Sequence, residues 1–174
     1  MELQNEITVS VRINGTQFTA AAAPEESLLE FLRTRAMVMD VKCGCNKGDC
    51  GTCTLILDGQ PVKSCLVLVA QANSKEVWTV KGMALDPLMQ ALQESFATHG
   101  AIQCGFCTPG MLVTARSLLA DCPQPDRAAI KEALSGNLCR CTGYKKIVDA
   151  VAAVAACQAS ARVQGGRCRV WKQQ

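Results

Sequence analysis

Ile7, Val9, Val11 and Ile13 alternate with polar residues, the period of a strand with one face in a core. Asn14–Gly15 then predicts a tight hairpin turn, and Gln17 to Ala21 the returning strand. After Pro24, Ser27 and Glu30 stand at capping-box spacing and predict a helix that buries Leu28, Leu29, Phe31 and Leu32. Beyond a loop of Cys and Gly, Thr54 to Leu57 and Pro61 to Ser64 read as a second hairpin around Asp58–Gly59, and Val77 to Val80 as a last strand. The pattern changes between Lys81 and Asp86. Pro87 to Thr98 carries Leu88, Leu92 and Phe96 at helical spacing, and Pro109 suits a first helical position before Gly110 to Ala120. Asp126 to Leu134, with Gly136 as C-cap, and Tyr144 to Ala156 complete four short helices, enough for a small bundle. From Arg162 the chain is polar, basic and without an apolar face, which predicts an extended or disordered tail. These shifts divide the chain into residues 1–82, 83–160 and 161–174.

Composition narrows the functional classes. The 174 residues carry a net charge of only +3, and no basic run or basic–aromatic stripe suggests nucleic acid. The start has no apolar signal segment, and no stretch is long and apolar enough to span a membrane. A cytoplasmic chain is therefore expected, and its 12 cysteines are expected to be metal thiolates rather than disulfides. No glycine-rich nucleotide loop opens a helix after a strand, so neither NAD nor FAD is expected to bind this chain in that way. No Ser/His/Asp or carboxylate constellation suggests hydrolysis.

A short sheet crossed by one helix, with a Cys-rich loop beside it, is the outline of a β-grasp ferredoxin domain. The loop runs Cys43-Gly-Cys45-Asn-Lys-Gly-Asp-Cys50-Gly-Thr-Cys53, and Cys65 follows the next hairpin. Cys45, Cys50 and Cys53 have the four-then-two spacing of plant-type [2Fe–2S] loops, with Cys65 as the distant fourth ligand. Gly44, Gly48 and Gly51 let the backbone curl so that N–H groups face the sulfurs. Structural zinc is the competing reading, since C-x₂-C pairs often hold it. Cys43 breaks the spacing and is read as a bystander thiol.

A second set consists of Cys104 and Cys107 before one predicted helix and Cys139 and Cys141 before another. Helix N-termini favour thiolates and an anionic cluster. Spacing alone leaves zinc and an iron–sulfur cluster both open here.

Three segments carry a resemblance: Cys45-Asn-Lys-Gly-Asp-Cys-Gly-Thr-Cys53, Gln103-Cys-Gly-Phe-Cys-Thr-Pro-Gly110 and Gly136-Asn-Leu-Cys-Arg-Cys-Thr-Gly-Tyr144. Together they resemble the iron–sulfur subunit of the xanthine dehydrogenase and aldehyde oxidoreductase family of molybdenum hydroxylases, over about Ile7 to Val154. The resemblance implies an α+β chain, with an N-terminal β-grasp plant-ferredoxin-like domain and a C-terminal four-helix bundle, each holding a [2Fe–2S] cluster. It implies that Cys104, Cys107, Cys139 and Cys141 hold the cluster nearest molybdenum. Cys45, Cys50, Cys53 and Cys65 would hold the one nearest FAD, with Gln103 and Cys141 lying against the pterin. A large molybdopterin-binding subunit and a medium FAD-binding subunit are the implied partners, in a hetero-oligomer for which a dimer of heterotrimers is one arrangement. An isolated chain is then expected to expose apolar surface around Phe106, Pro109 and Met111. A free-standing two-cluster ferredoxin is the alternative function.

Other residues suggest less. Cys122, Cys157 and Cys168 have no partner at ligand spacing, and the first two read as structural thiols in or at the ends of apolar helices. His99 reads as a helix-end residue, Trp78 as core, and Arg140 either as a charge offset or as a tuner of potential. Trp171, Arg167 and Arg169 make the tail a candidate docking segment.

Overall fold

A computed structural model of the chain describes residues 6–163, with side chains as far as residue 158. Strand β1 (Ile7–Ile13) pairs antiparallel with β2 (Thr16–Ala22), Val11 opposite Phe18. The turn residues Asn14 and Gly15 have φ of 51° and 84°, the two left-handed values that a type I′ hairpin requires. Helix α1 (Leu28–Thr34) follows, and the Ser27 hydroxyl accepts the Glu30 N–H at 3.1 Å. β3 (Thr54–Leu57) and β4 (Gln60–Lys63) form the second hairpin, and β5 (Glu76–Trp78) is the last strand. The five strands make one mixed sheet in the order β2-β1-β5-β3-β4, in which only β1 and β5 run parallel. β5 ends at Trp78 rather than at Val80, because the Asn14 side chain accepts the Thr79 N–H at 2.9 Å and donates to the Thr79 hydroxyl oxygen at 3.1 Å.

Four further helices follow: α2 (Pro87–Thr98), α3 (Thr108–Asp121), α4 (Arg127–Leu134) and α5 (Lys145–Val163). Asp86 caps α2 and also pairs with Arg116 of α3 at 2.8 Å; Asp126 caps α4. His99 is the C-cap of α2, with Nδ1 2.8 Å from the Ser95 carbonyl oxygen. Three boundaries depart from expectation. Cys107 is the N-cap of α3, so Pro109 is its second residue. Ser135 ends α4 in right-handed geometry, and Gly136 is not its left-handed cap. α5 continues past Ala156 to Val163, because its Ala-rich run has high helix propensity and nothing breaks it. Residues 161–163 are therefore helical, and the rest of the basic tail, with Cys168 and Trp171, lies outside the described residues.

Two cores result. Val9, Val11, Leu28, Phe31, Leu32, Leu55 and Val77 fill the first, where Phe18 meets Phe31 edge-on at 5.8 Å. Met89, Leu92, Phe96, Met111, Leu119, Ile130, Ile147 and Val151 fill the second. β3 serves both: Leu55 and Leu57 face the first core while Ile56 faces the second, with α3 packed on that strand. Half-buried Trp78 packs on the second core. Cys122 and Cys157 are exposed, so they are not the buried structural thiols expected; each lies on a solvent-facing end or side of its helix. Among the described residues no helix is long and apolar enough to cross a membrane.

Candidate metal centre

The loop between α1 and β3 curls back on itself. The Cys50 N–H donates to the Cys45 sulfur at 3.4 Å, and the Cys50 sulfur lies 3.3 Å from the Thr52 hydroxyl. Gly48, at φ 89°, makes the bend that a side chain would resist, and Lys63 donates to its carbonyl oxygen at 2.7 Å. Cys53, at the head of β3, and Cys65, in the turn after β4, bring their sulfurs to 3.4 Å. As a free thiol Cys45 is lowered to about 6, first by the Lys47 N–H and then by that of Cys50. Cys65 is raised to about 11 by burial and by the neighbouring Cys53. Cys45 therefore supplies a thiolate near neutral pH, whereas Cys65 must release a proton to bind metal.

The second set gathers where the loop before α3 meets the loop before α5. The Cys104 and Cys141 sulfurs lie 3.5 Å apart, and Cys107 lies beside Cys139. Burial pushes Cys107 up to about 12. Burial also raises Cys139, but the Thr142 hydroxyl at 3.1 Å and the N–H groups of Thr142 and Cys141 outweigh it, and the net shift is downward.

These geometries test what metal the thiols suit. Two thiolates on one tetrahedral ion lie about 3.8 Å apart, given metal–sulfur bonds of about 2.3 Å. The close pairs at 3.4 and 3.5 Å match that spacing. Among the described residues, however, no three or more His, Cys, Asp or Glu side chains are set closely enough to hold a single ion. Thiols that come close in twos, Cys53 with Cys65 and Cys104 with Cys141, fit a two-iron core in which each iron takes two thiolates.

The two sets are joined directly. The Leu138 N–H, next to Cys139, donates to the carbonyl oxygen of Cys50 at 2.9 Å. Asn137, only 4% exposed, donates to the Gly51 carbonyl oxygen at 2.9 Å and accepts from the Thr114 hydroxyl at 3.0 Å. Gly110 on α3 lies against Gly51 so closely that a Cβ would land on the Gly51 carbonyl oxygen.

Exposure differs between the sets. Cys104 and Cys141 face solvent beside exposed Gln103, amid Ile102 (41% exposed), Phe106 (47%) and Leu138 (52%). Of the apolar surface expected around Phe106, Pro109 and Met111, only Phe106 is exposed. Met111 faces into the helical core and is wholly buried, and Pro109 is half-buried. Cys43 is exposed, and Arg140 is exposed between Cys139 and Cys141. Asn137, Thr142 and Tyr144 escape a reading of the sequence by cysteine spacing. The last two flank the C-x-C pair, and Ser/Thr/Tyr beside paired cysteines is the signal that marks them.

The Cys43→Ser variant is expected to keep full iron content and an unchanged visible spectrum, because Cys43 forms no part of the sulfur pairs described. Loss of iron, measured by metal analysis, would make Cys43 a ligand.

Two family models match the chain: a 2Fe-2S iron-sulfur cluster binding domain over residues 11–85, and a [2Fe-2S] binding domain over residues 79–152. The chain is 45% identical over 147 residues to the nicotinate dehydrogenase small FeS subunit of Eubacterium barkeri, covering 84% of this chain and 94% of that protein. It is 42% identical over 154 residues to the xanthine dehydrogenase iron-sulfur-binding subunit of Escherichia coli O157:H7, covering 87% and 96%. The crystal structure of quinoline 2-oxidoreductase from Pseudomonas putida 86 contains a chain that matches with a TM-score of 0.82 and 44% identity, over 93% of this chain and 99% of that one.

Proposed function

This chain belongs to the family of small iron–sulfur subunits of xanthine and nicotinate dehydrogenase-type molybdenum hydroxylases, and from that premise we propose that it relays electrons from a molybdopterin centre on a large subunit to FAD on a medium subunit. Residues 1–82 are the β-grasp, plant-ferredoxin-like part and residues 83–160 the four-helix bundle. Cys45, Cys50, Cys53 and Cys65 hold the first [2Fe–2S] cluster, on the FAD side. Cys104, Cys107, Cys139 and Cys141 hold the second, on the molybdenum side, where Gln103 and Cys141 meet the pterin. When bound, each cluster takes up and releases one electron at a time.

The observation that carries this reading is the hydrogen bond from the Leu138 N–H to the Cys50 carbonyl oxygen. One peptide contact links a residue of the first thiol set to the neighbour of a residue of the second. Asn137 and the Gly51–Gly110 contact hold that junction still. The half-exposed Ile102, Phe106 and Leu138 around Cys104 and Cys141 support a lasting apolar interface with the large subunit. A free-standing ferredoxin needs no such apolar collar. The substrate is set by the large subunit, not by this chain.

Purification of the native assembly through a tag on this chain tests the reading. A molybdopterin-containing large chain and an FAD-containing medium chain are expected to co-purify in equal amounts. Recovery of the cluster-loaded chain alone, exchanging electrons with unrelated partners, would favour the ferredoxin.

A further inference from the structure

Resting on the reading that Cys139 ligates the second cluster, we propose that the hydroxyl of Thr142, held in place by Tyr144, sets how readily that cluster is reduced. Three residues close a ring of hydrogen bonds. The Cys139 N–H donates to the Tyr144 hydroxyl oxygen at 2.8 Å. The Tyr144 N–H donates to the Thr142 hydroxyl oxygen at 3.3 Å. The Thr142 hydroxyl in turn meets the Cys139 sulfur at 3.1 Å, and the Thr142 N–H reaches the same sulfur at 3.5 Å.

The direction of the hydroxyl bond follows from chemistry. A cysteine sulfur on iron carries no proton, so the Thr142 O–H is the donor. Its oxygen is already engaged by the Tyr144 N–H, which leaves its proton free to point at the sulfur. Tyr144 holds this arrangement at a cost: its φ is 66°, a left-handed conformation that a bulky residue seldom adopts. Its ring packs against the helical core, so the aromatic anchor is fixed from the protein side.

The ring assigns the donors unevenly. The Cys139 N–H is tied to the phenol oxygen and does not reach a sulfur, so the side-chain donor of Thr142 matters all the more. The reduced cluster holds one more electron than the oxidised one. A donor on its ligand sulfur stabilises the added negative charge and raises the potential. Arg140 next door is exposed, and its charge is screened by solvent.

The test is a redox titration of the full-length chain carrying both clusters, followed by EPR, with the first cluster's signal as internal reference. Thr142→Val removes the hydroxyl and keeps the shape. It is expected to lower the equilibrium constant for reducing the second cluster about tenfold, a fall of about 59 mV for one electron. Thr142→Ser keeps the hydroxyl and is expected to stay within about threefold of the parent, while the first cluster does not move in either variant. An unchanged potential in Thr142→Val, or an equal fall in Thr142→Ser, overturns the proposal. If Thr142→Val fails to take up its second cluster, Thr142→Ala is read in its place. If neither loads while Thr142→Ser does, the hydroxyl is an assembly requirement and the tuning role is wrong. Absence of a second [2Fe–2S] signal in the parent chain would instead refute the functional reading on which the proposal rests.

Discussion

The Cys50→Ala complex is expected to be reduced by its substrate at the molybdenum centre and at the second cluster while its flavin stays oxidised. Cys50 is the residue where the two halves of the site meet. Its sulfur belongs to the first set, and its carbonyl oxygen accepts the Leu138 N–H. With Cys50 as a proposed ligand, truncating its side chain takes away one thiolate but leaves the peptide junction, so the second set keeps its geometry. The variant should lose about two of about four irons, and steady-state turnover with an acceptor that draws on the flavin should collapse. Rapid mixing with substrate, monitored at flavin wavelengths and by freeze-quench EPR, separates the two halves of the path. Prompt flavin reduction in this variant would rule out the linear order.

The second large effect is one of stability. Gly110→Ala is expected to cost about 3 kcal/mol, at the upper end of what one added methyl costs in a close-packed site. The new Cβ would land on the Gly51 carbonyl oxygen and lie 3.1 Å from the Asn137 amide. Neither neighbour yields cheaply. Gly51 is backbone at φ 68°, itself pressed against Gly136, and Asn137 is buried with its amide and carbonyl both engaged. For a chain of this length that is about 6–12 °C in Tm. Gly136→Ala is the control, since a Cβ there meets only the Lys63 side chain, at 3.5 Å. A thermal melt in which the two variants behave alike would mean that the loops are not locked at Gly110.

Both effects arise at contacts that the sequence does not advertise. Asn137 and Gly51 are far apart in the chain, and no local pattern pairs them; only the fold brings them within hydrogen-bonding distance. Local features are legible. The alternation in β1, the Asn14–Gly15 turn and the Ser27 cap each depend on neighbours within a few residues, and all three can be read from the amino-acid order alone. The approach of Cys45 to Cys50 is equally readable, because a short glycine-containing loop is enough to bring the Cys50 N–H onto the Cys45 sulfur. The faces of several elements are not. Thr54 to Leu57 are all buried, since β3 is sandwiched between two cores and period-two reasoning has nothing to separate. Met111 lies just beyond the Cys107 motif, which suggests a surface position, yet α3 turns it inward. Cys122 and Cys157 have apolar neighbours in the chain that suggest burial, though each faces solvent. The pairing of Cys139 with Thr142 and Tyr144 is hidden for a different reason. It depends on Tyr144 adopting a left-handed backbone that its residue type does not suggest.

The central claim is that one chain carries two separate [2Fe–2S] clusters. Quantitative EPR of the dithionite-reduced, full-length chain, with iron and acid-labile sulfide measured on the same sample, tests it most directly. The account predicts about four irons, about four sulfides and two distinct rhombic signals that integrate to about two spins per chain. A single signal at one spin, or stoichiometric zinc with no visible absorbance, would contradict it.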